Sequence, residues 1–107
     1  IRSLVDSLLL RDDVDVIFLT GGTGLAKSDV TIEAVRPLFE KELEGFGELF
    51  RYVSYSKIGT GAMMSRATAG VARGKLIVAL PGSPDAVKTG LELLLQELPH
   101  ILYIIRS

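Results

Sequence analysis

The 107-residue chain predicts an α/β fold, a three-layer α/β/α sandwich around a mostly parallel sheet. Three observations carry that expectation. Helical and strand-like patterns alternate along the chain, as expected of helices packed on both faces of a sheet. The apolar runs at residues 14–19 and 75–80 are nearly continuous, the mark of strands covered on both sides. Three glycine-bearing segments with hydroxyls punctuate the pattern: Thr20-Gly21-Gly22-Thr23-Gly24, Gly59-Thr60-Gly61 and Pro81-Gly82-Ser83-Pro84.

Taken in order, Ile1, Leu4, Val5, Leu8 and Leu9 fall at helical spacing and predict a helix over residues 1–11. Arg11-Asp12-Asp13 is a polar turn, and residues 14–19 are the first strand. After the first glycine segment, Thr31 is the expected N-cap of a helix, with Glu33 in its first turn. Val35, Leu38, Phe39 and Leu43 form its inward stripe. Pro37 removes a hydrogen bond and predicts a kink or restart, and Gly45 and Gly47 are expected to end the helix. Residues 48–55 alternate and are rich in aromatic and β-branched side chains, which predicts a strand. Gly59-Thr60-Gly61 then opens a predicted helix of small residues over 62–72. Lys75–Leu80 is a buried strand. Ser83 as N-cap, with Pro84 first and Asp85 next, is a strong helix start. Val87, Leu91, Leu94, Leu95 and Leu98 form the stripe of that helix, and Pro99 ends it. Residues 100–106 are an apolar tail, helix or strand.

Composition narrows the function classes. A chain of this length is one domain, residues 1–107, and 48% apolar residues suffice for a core. A net charge of −1 argues against broad electrostatic binding to nucleic acid or to an anionic membrane. The lack of cysteine excludes disulfides, thiolate metal sites and cysteine nucleophiles. His100, the single histidine, cannot form a histidine metal cluster and reads as structural. No apolar run approaches the roughly 18 residues of a membrane span. A first helix that feeds a central strand wants a preceding strand to cover. The expectation is therefore a C-terminal portion of a longer protein.

In an open α/β sheet, ligands gather at the carboxyl ends of strands. The first glycine segment leaves such an end. Its glycines let the backbone approach an anion, with amides turned toward phosphate oxygens. It has neither the spacing of a dinucleotide fingerprint nor the Lys-Ser/Thr of a P-loop, and a plain tight connection is the bland alternative. Asp29 is either a magnesium ligand shared with phosphates or a carboxylate favoured by a helix N-terminus. Arg66 is either a bidentate phosphate fork or a solvent-facing arginine. Glu42, Glu44 and Glu48 read as a solvated face.

Five ordered motifs together resemble the molybdopterin-binding family. They are Thr20-Gly21-Gly22-Thr23-Gly24, Asp29-Val30-Thr31, Gly45-Phe46-Gly47-Glu48, Ser65-Arg66-Ala67-Thr68-Ala69-Gly70 and Leu80-Pro81-Gly82-Ser83-Pro84. The family comprises molybdenum cofactor biosynthesis proteins, among them the MoaB and MogA proteins and the G domain of gephyrin-like proteins. The stretch from Asp29 to Arg51 is most similar to the MoaB group. The resemblance implies a cytoplasmic, homotrimeric molybdopterin adenylyltransferase with small-molecule substrates, using Mg2+, ATP and molybdopterin. It implies that Thr20, Gly21, Gly22, Thr23 and Gly24 hold phosphate and that Asp29 binds the metal or organises the nucleotide. It further implies that Ser65 and Arg66 grip molybdopterin and that Gly82 and Ser83 form a second binding loop. Two departures stand out. Lys27 and Ser28 occupy the place where the family often has arginine directly before the aspartate. The family's first strand and a second functional aspartate lie upstream of Ile1. The alternatives are a non-catalytic molybdopterin-binding module, a competence-damage-like nucleotide pyrophosphatase domain, and a structural scaffold.

Overall fold

The computed structural model describes residues 1–107 and is a three-layer α/β/α sandwich. In chain order the elements are α1 (Arg2–Leu9), β1 (Val16–Thr20), α2 (Thr31–Val35), β2 (Lys41–Glu42), α3 (Glu44–Ile58), β3 (Thr68–Ala72), β4 (Lys75–Leu80), α4 (Pro84–Leu95) and α5 (Leu98–Ile105). The sheet runs β1-β4-β3-β2. Only β1 and β4 are parallel; β3 pairs antiparallel with both β4 and β2. The sheet is thus mixed, not mostly parallel. The reason is the Arg73-Gly74 turn, where both residues take a left-handed φ and fold β3 directly onto β4 as a hairpin.

Every residue of β4 is buried, and its alternation divides the core. Ile77 and Ala79 face one cluster with Val5 and Leu9 of α1 and Ile32 and Val35 of α2. Leu76, Val78 and Leu80 face the other, with Phe46 and Phe50 of α3 and Leu94 of α4. Leu98, Ile101 and Ile105 of α5 pack on the same side. A central strand with an outer layer on each side needs this continuous apolar run.

Two elements depart from the sequence expectation. Residues 48–55 are helical, not a strand, and lie within α3. The inward residues are Phe46 and Phe50, four apart, while Leu49, Tyr52 and Tyr55 are exposed. Aromatic residues on the outer face create an apparent alternation that hides the helical period. Gly45 and Gly47 accordingly do not end a helix. Gly47 is buried in α3, where a Cβ would sit 2.6 Å from the Ala67 carbonyl oxygen. Residues 62–72 are not one helix either: a short 3-10 segment, Gly59–Met64, precedes strand β3. The small residues of β3 suit a strand squeezed between two layers. A Cβ on Gly70 would collide with the Phe39 ring.

At Pro37 and Ser83 the local chemistry acts as expected. Pro37 breaks α2, and the chain restarts as a 3-10 turn at Arg36–Leu38. Ser83 caps α4 by accepting a 3.2 Å hydrogen bond from the Ala86 amide, with Pro84 in the first turn. Pro99, expected to end that helix, instead sits in the first turn of α5.

These contacts separate two glycines. Gly70→Val is expected to cost about 1–3 kcal/mol of stability through overpacking against Phe39, read from the urea unfolding midpoint. Gly45→Ala, whose Cβ would meet nothing within 4 Å, is expected to stabilise α3 by about 0.5 kcal/mol.

Candidate functional site

The parallel pairing of β1 and β4 puts Thr20 opposite Leu80. Their following segments therefore leave the sheet side by side. The Gly21 amide donates to the Leu80 carbonyl at 2.7 Å and extends the ladder by one bond. Beyond it, Gly21 and Gly22 take φ values of 93° and 71°, which favour glycine. A Cβ on Gly82 would lie 3.4 Å from the Gly21 Cα, so the two segments touch.

The segment 21–31 is closed by its own hydrogen bonds. Thr31 Oγ1 donates to the Gly21 carbonyl at 2.8 Å, and the Thr31 amide donates to the Gly22 carbonyl at 3.0 Å. Thr31 is therefore the first residue of α2 rather than its cap, and its hydroxyl serves the glycine loop instead. The Ala26 amide donates to Asp29 Oδ2 at 3.0 Å, and the Asp29 amide donates back to the Ala26 carbonyl at 2.9 Å. A Cβ on Gly24 would lie 2.8 Å from Asp29 Oδ2, so glycine lets the carboxylate fold over the loop.

Arg66 holds this arrangement from outside. Its Nε donates to the Gly24 carbonyl at 2.9 Å and its Nη2 to the Asp29 carbonyl at 3.0 Å. Both terminal nitrogens also pair with the Glu33 carboxylate on α2. The Arg66 amide donates to the Thr23 carbonyl at 3.1 Å. The guanidinium raises no question of protonation, since the Glu33 hydrogen bond pushes its pKa up further. In turn the hydrogen bond from Arg66 draws the Glu33 carboxyl below its ordinary value.

A cleft of about 380 Å³ opens beside these loops. Gly22, Thr23, Gly24 and Asp29 line one wall, and Pro81, Gly82 and Ser83 line another. Ser65 and Met64 come from the segment before β3, while Phe50, Ser54, Lys57 and Ile58 come from α3. Asp85, Ala86 and Thr89 of α4 complete it. The structure thus brings together Gly22, Thr23, Gly24, Asp29, Ser65, Gly82 and Ser83. It leaves Thr20, exposed at the end of β1, and Gly21 out of the cleft lining. Arg66 lies outside the cleft, facing two outer grooves. The Gly59-Thr60-Gly61 segment is not delivered by a strand and does not line the cleft; it follows α3, and Ala62 and Met64 just after it do line the cleft.

Sequence reasoning missed Ser54, Lys57 and Thr89. Lys57 Nζ donates to Thr89 Oγ1 at 2.7 Å and lies 3.6 Å from Asp85 Oδ1. The spacing of Ser54 and Lys57 from Phe50 places all three on one helix face. That signal was available only once residues 48–55 are read as helix.

No three histidine, cysteine or carboxylate side chains gather closely enough to cage a metal. Asp29 Oδ2 is engaged by the Ala26 amide, while Oδ1 takes part in no hydrogen bond. No helix is long and apolar enough to cross a membrane.

Residues 1–100 match a family model described as probable molybdopterin binding domain. The chain is 58% identical over 96 residues to molybdenum cofactor biosynthesis protein B of Staphylococcus aureus, covering 88% of this chain and 57% of that protein. It is 47% identical over 107 residues to a probable molybdopterin adenylyltransferase of Methanocaldococcus jannaschii, covering 100% of this chain and 66% of that one. A crystal structure of a molybdenum cofactor biosynthesis protein B superposes with a TM-score of 0.93 at 46% identity, over 98% of this chain and 66% of the other. The chain therefore spans between 57% and 66% of the length of these relatives.

The Arg66 contacts have a measurable consequence. Arg66→Lys keeps the charge and loses the planar fork. It is expected to speed hydrogen exchange at the Ala26 and Asp29 amides about tenfold or more, as a loss of roughly 1.5–3 kcal/mol per charged hydrogen bond implies, while β4 amides keep their protection. The Glu33 pairing also sets a pH limit. Its folded pKa lies below the ordinary 4.5, so its contribution is complete above that value and is lost as pH falls through the folded value. Protection of the Asp29 amide, taken relative to its intrinsic exchange rate at each pH, is expected to fall in that acid window, and Glu33→Gln to abolish that pH dependence.

Proposed function

The chain belongs to the molybdopterin-binding domain family, and on that footing we propose that it serves molybdenum cofactor biosynthesis as a molybdopterin adenylyltransferase. The terminal phosphate oxygen of molybdopterin attacks the α-phosphorus of ATP. A new P–O bond forms, the bond between the α-phosphorus and its bridging oxygen breaks, and pyrophosphate leaves with that oxygen. The products are adenylylated molybdopterin and pyrophosphate.

The observation that carries this reading is the juxtaposition of two glycine loops at the ends of parallel strands, facing one cleft. Transfer of this type needs positioning and charge neutralisation rather than a protein nucleophile. The backbone of Gly22 to Gly24 and of Gly82 to Ser83 can approach phosphate oxygens closely. The N-terminus of α4 opens onto the same cleft, and its dipole favours an anion there. Thr23, Ser54, Ser65 and Ser83 add hydroxyls. Thr31 and Arg66 keep the first loop in register, so its amides need no reorganisation when phosphates arrive.

Asp29 fits a magnesium ion, because its Oδ1 is uncommitted and a magnesium site takes one or two carboxylates with phosphates and waters. When bound, that ion would supply charge neutralisation at the substrate phosphates. Asp29 itself fixes the loop through Oδ2 and presents Oδ1. Asn at this position keeps an acceptor for the Ala26 amide and loses the charge.

Asp29→Asn is therefore expected to lower kcat by about 10²-fold or more with an unchanged thermal midpoint. The assay follows pyrophosphate release from ATP with magnesium and molybdopterin, using the intact protein. Pyrophosphate release by the parent protein without adenylylated molybdopterin, or turnover of ADP-ribose in its place, contradicts the reading.

A further inference from the structure

The cleft has a charge problem. Its ionisable lining consists of Asp29, Asp85 and Lys57, two carboxylates and one ammonium. The proposed substrates are polyanions. The arginines nearby are committed elsewhere. Arg66 spends its fork on two loop carbonyls and Glu33. Arg51 donates to the Ser65 and Ala67 carbonyls at 3.4 Å and 2.9 Å. Lys57 alone brings positive charge into the cleft.

We infer that Lys57 is a substrate-binding residue that grips a phosphoryl group in the cleft. The inference rests on the phosphate-transfer reading of this site and adds a residue to it. Lys57 stands in the last turn of α3, across from the N-terminus of α4. Its Nζ carries three donors. One is aimed by Thr89 Oγ1, which is buried, at 2.7 Å. A second faces Asp85 Oδ1 at 3.6 Å, too long for a strong pair, and that carboxylate is 67% exposed. An ion pair so exposed and so loose contributes little. An arriving phosphate therefore displaces Asp85 at small cost and inherits an ammonium that Thr89 has already oriented. The same phosphate lies beside Gly82 and Ser83, whose backbone lines that end of the cleft.

The phosphoryl group has two sources, the triphosphate of ATP or the terminal phosphate of molybdopterin. The test uses the intact protein with Lys57→Met and Lys57→Arg, each checked for fold by circular dichroism; Lys57→Gln substitutes should the methionine variant misfold. Inorganic pyrophosphate is the binding probe, followed by calorimetry, and needs no turnover. Lys57→Met is expected to weaken its binding about tenfold or more and to flatten the salt dependence. Lys57→Arg is expected to restore most of the affinity, because the charge returns. In the transfer assay Lys57→Met raises the KM of one substrate with little change in kcat. A raised KM for ATP assigns the grip to the nucleotide, and a raised KM for molybdopterin assigns it to the pterin phosphate. Unchanged pyrophosphate affinity together with two unchanged KM values overturns the inference. Lysine-dependent pyrophosphate binding in a protein that forms no adenylylated product upholds Lys57 and refutes the transfer reading, so the two failures are distinguishable.

Discussion

The parallel pairing of β1 with β4 is the constraint on which the rest depends. Without it, Thr20 and Leu80 would not end level, and the two glycine segments would not meet. The pairing is secured by burial on both faces of β4, where two apolar clusters lock its alternation in place. A slip of one residue would send Ile77 and Ala79 to the wrong layer, so the register is strongly specified. The cleft thus inherits its geometry from the least exposed strand of the molecule. The hydrogen bond from the Gly21 amide to the Leu80 carbonyl carries that order one residue beyond the sheet.

Beyond the sheet, order passes from backbone to side chains. The first loop is too polar to be held by packing, so it is held by donors. Thr31 returns a hydroxyl to Gly21, Asp29 takes the Ala26 amide, and Arg66 reaches across from the segment before β3 to two loop carbonyls. Each of these satisfies a backbone group that would otherwise need water. The Glu33 carboxylate in turn fixes the arginine. This division of labour separates the residues near the cleft by role. Arg66 keeps the loop shaped from behind, while Asp29, Ser65 and Lys57 face inward.

How much of this was legible in the sequence depended on whether local chemistry or tertiary contact decided the element. The Lys75–Leu80 strand was legible, because a fully buried strand is an uninterrupted apolar run. The start of α4 was legible, because Ser83-Pro84-Asp85 is a cap by local chemistry alone. The glycine loop was legible, because Gly22 and Gly24 answer close approaches by Thr31 and Asp29. Residues 48–55 were not, because Leu49, Tyr52 and Tyr55 put large apolar side chains on an exposed helix face. Residues 68–72 were not, because Ala, Gly and Val suit a tight helix contact as well as a squeezed strand, and Phe39 across Gly70 decides between them. Two misread elements carried the antiparallel half of the sheet with them. They also hid Lys57, whose direction into the cleft follows only from a helical α3.

The proposal at the centre of this reading is that phosphates bind where the β1 and β4 loops meet. A crystal structure of the intact protein soaked with ATP and magnesium tests it most directly. Phosphate density is expected within hydrogen-bonding distance of the amides of the Gly22–Gly24 and Gly82–Ser83 segments, with Lys57 Nζ turned from Asp85. Phosphate density in the outer groove between Arg36, Arg51 and Arg66 instead, with the cleft holding only solvent, would contradict it.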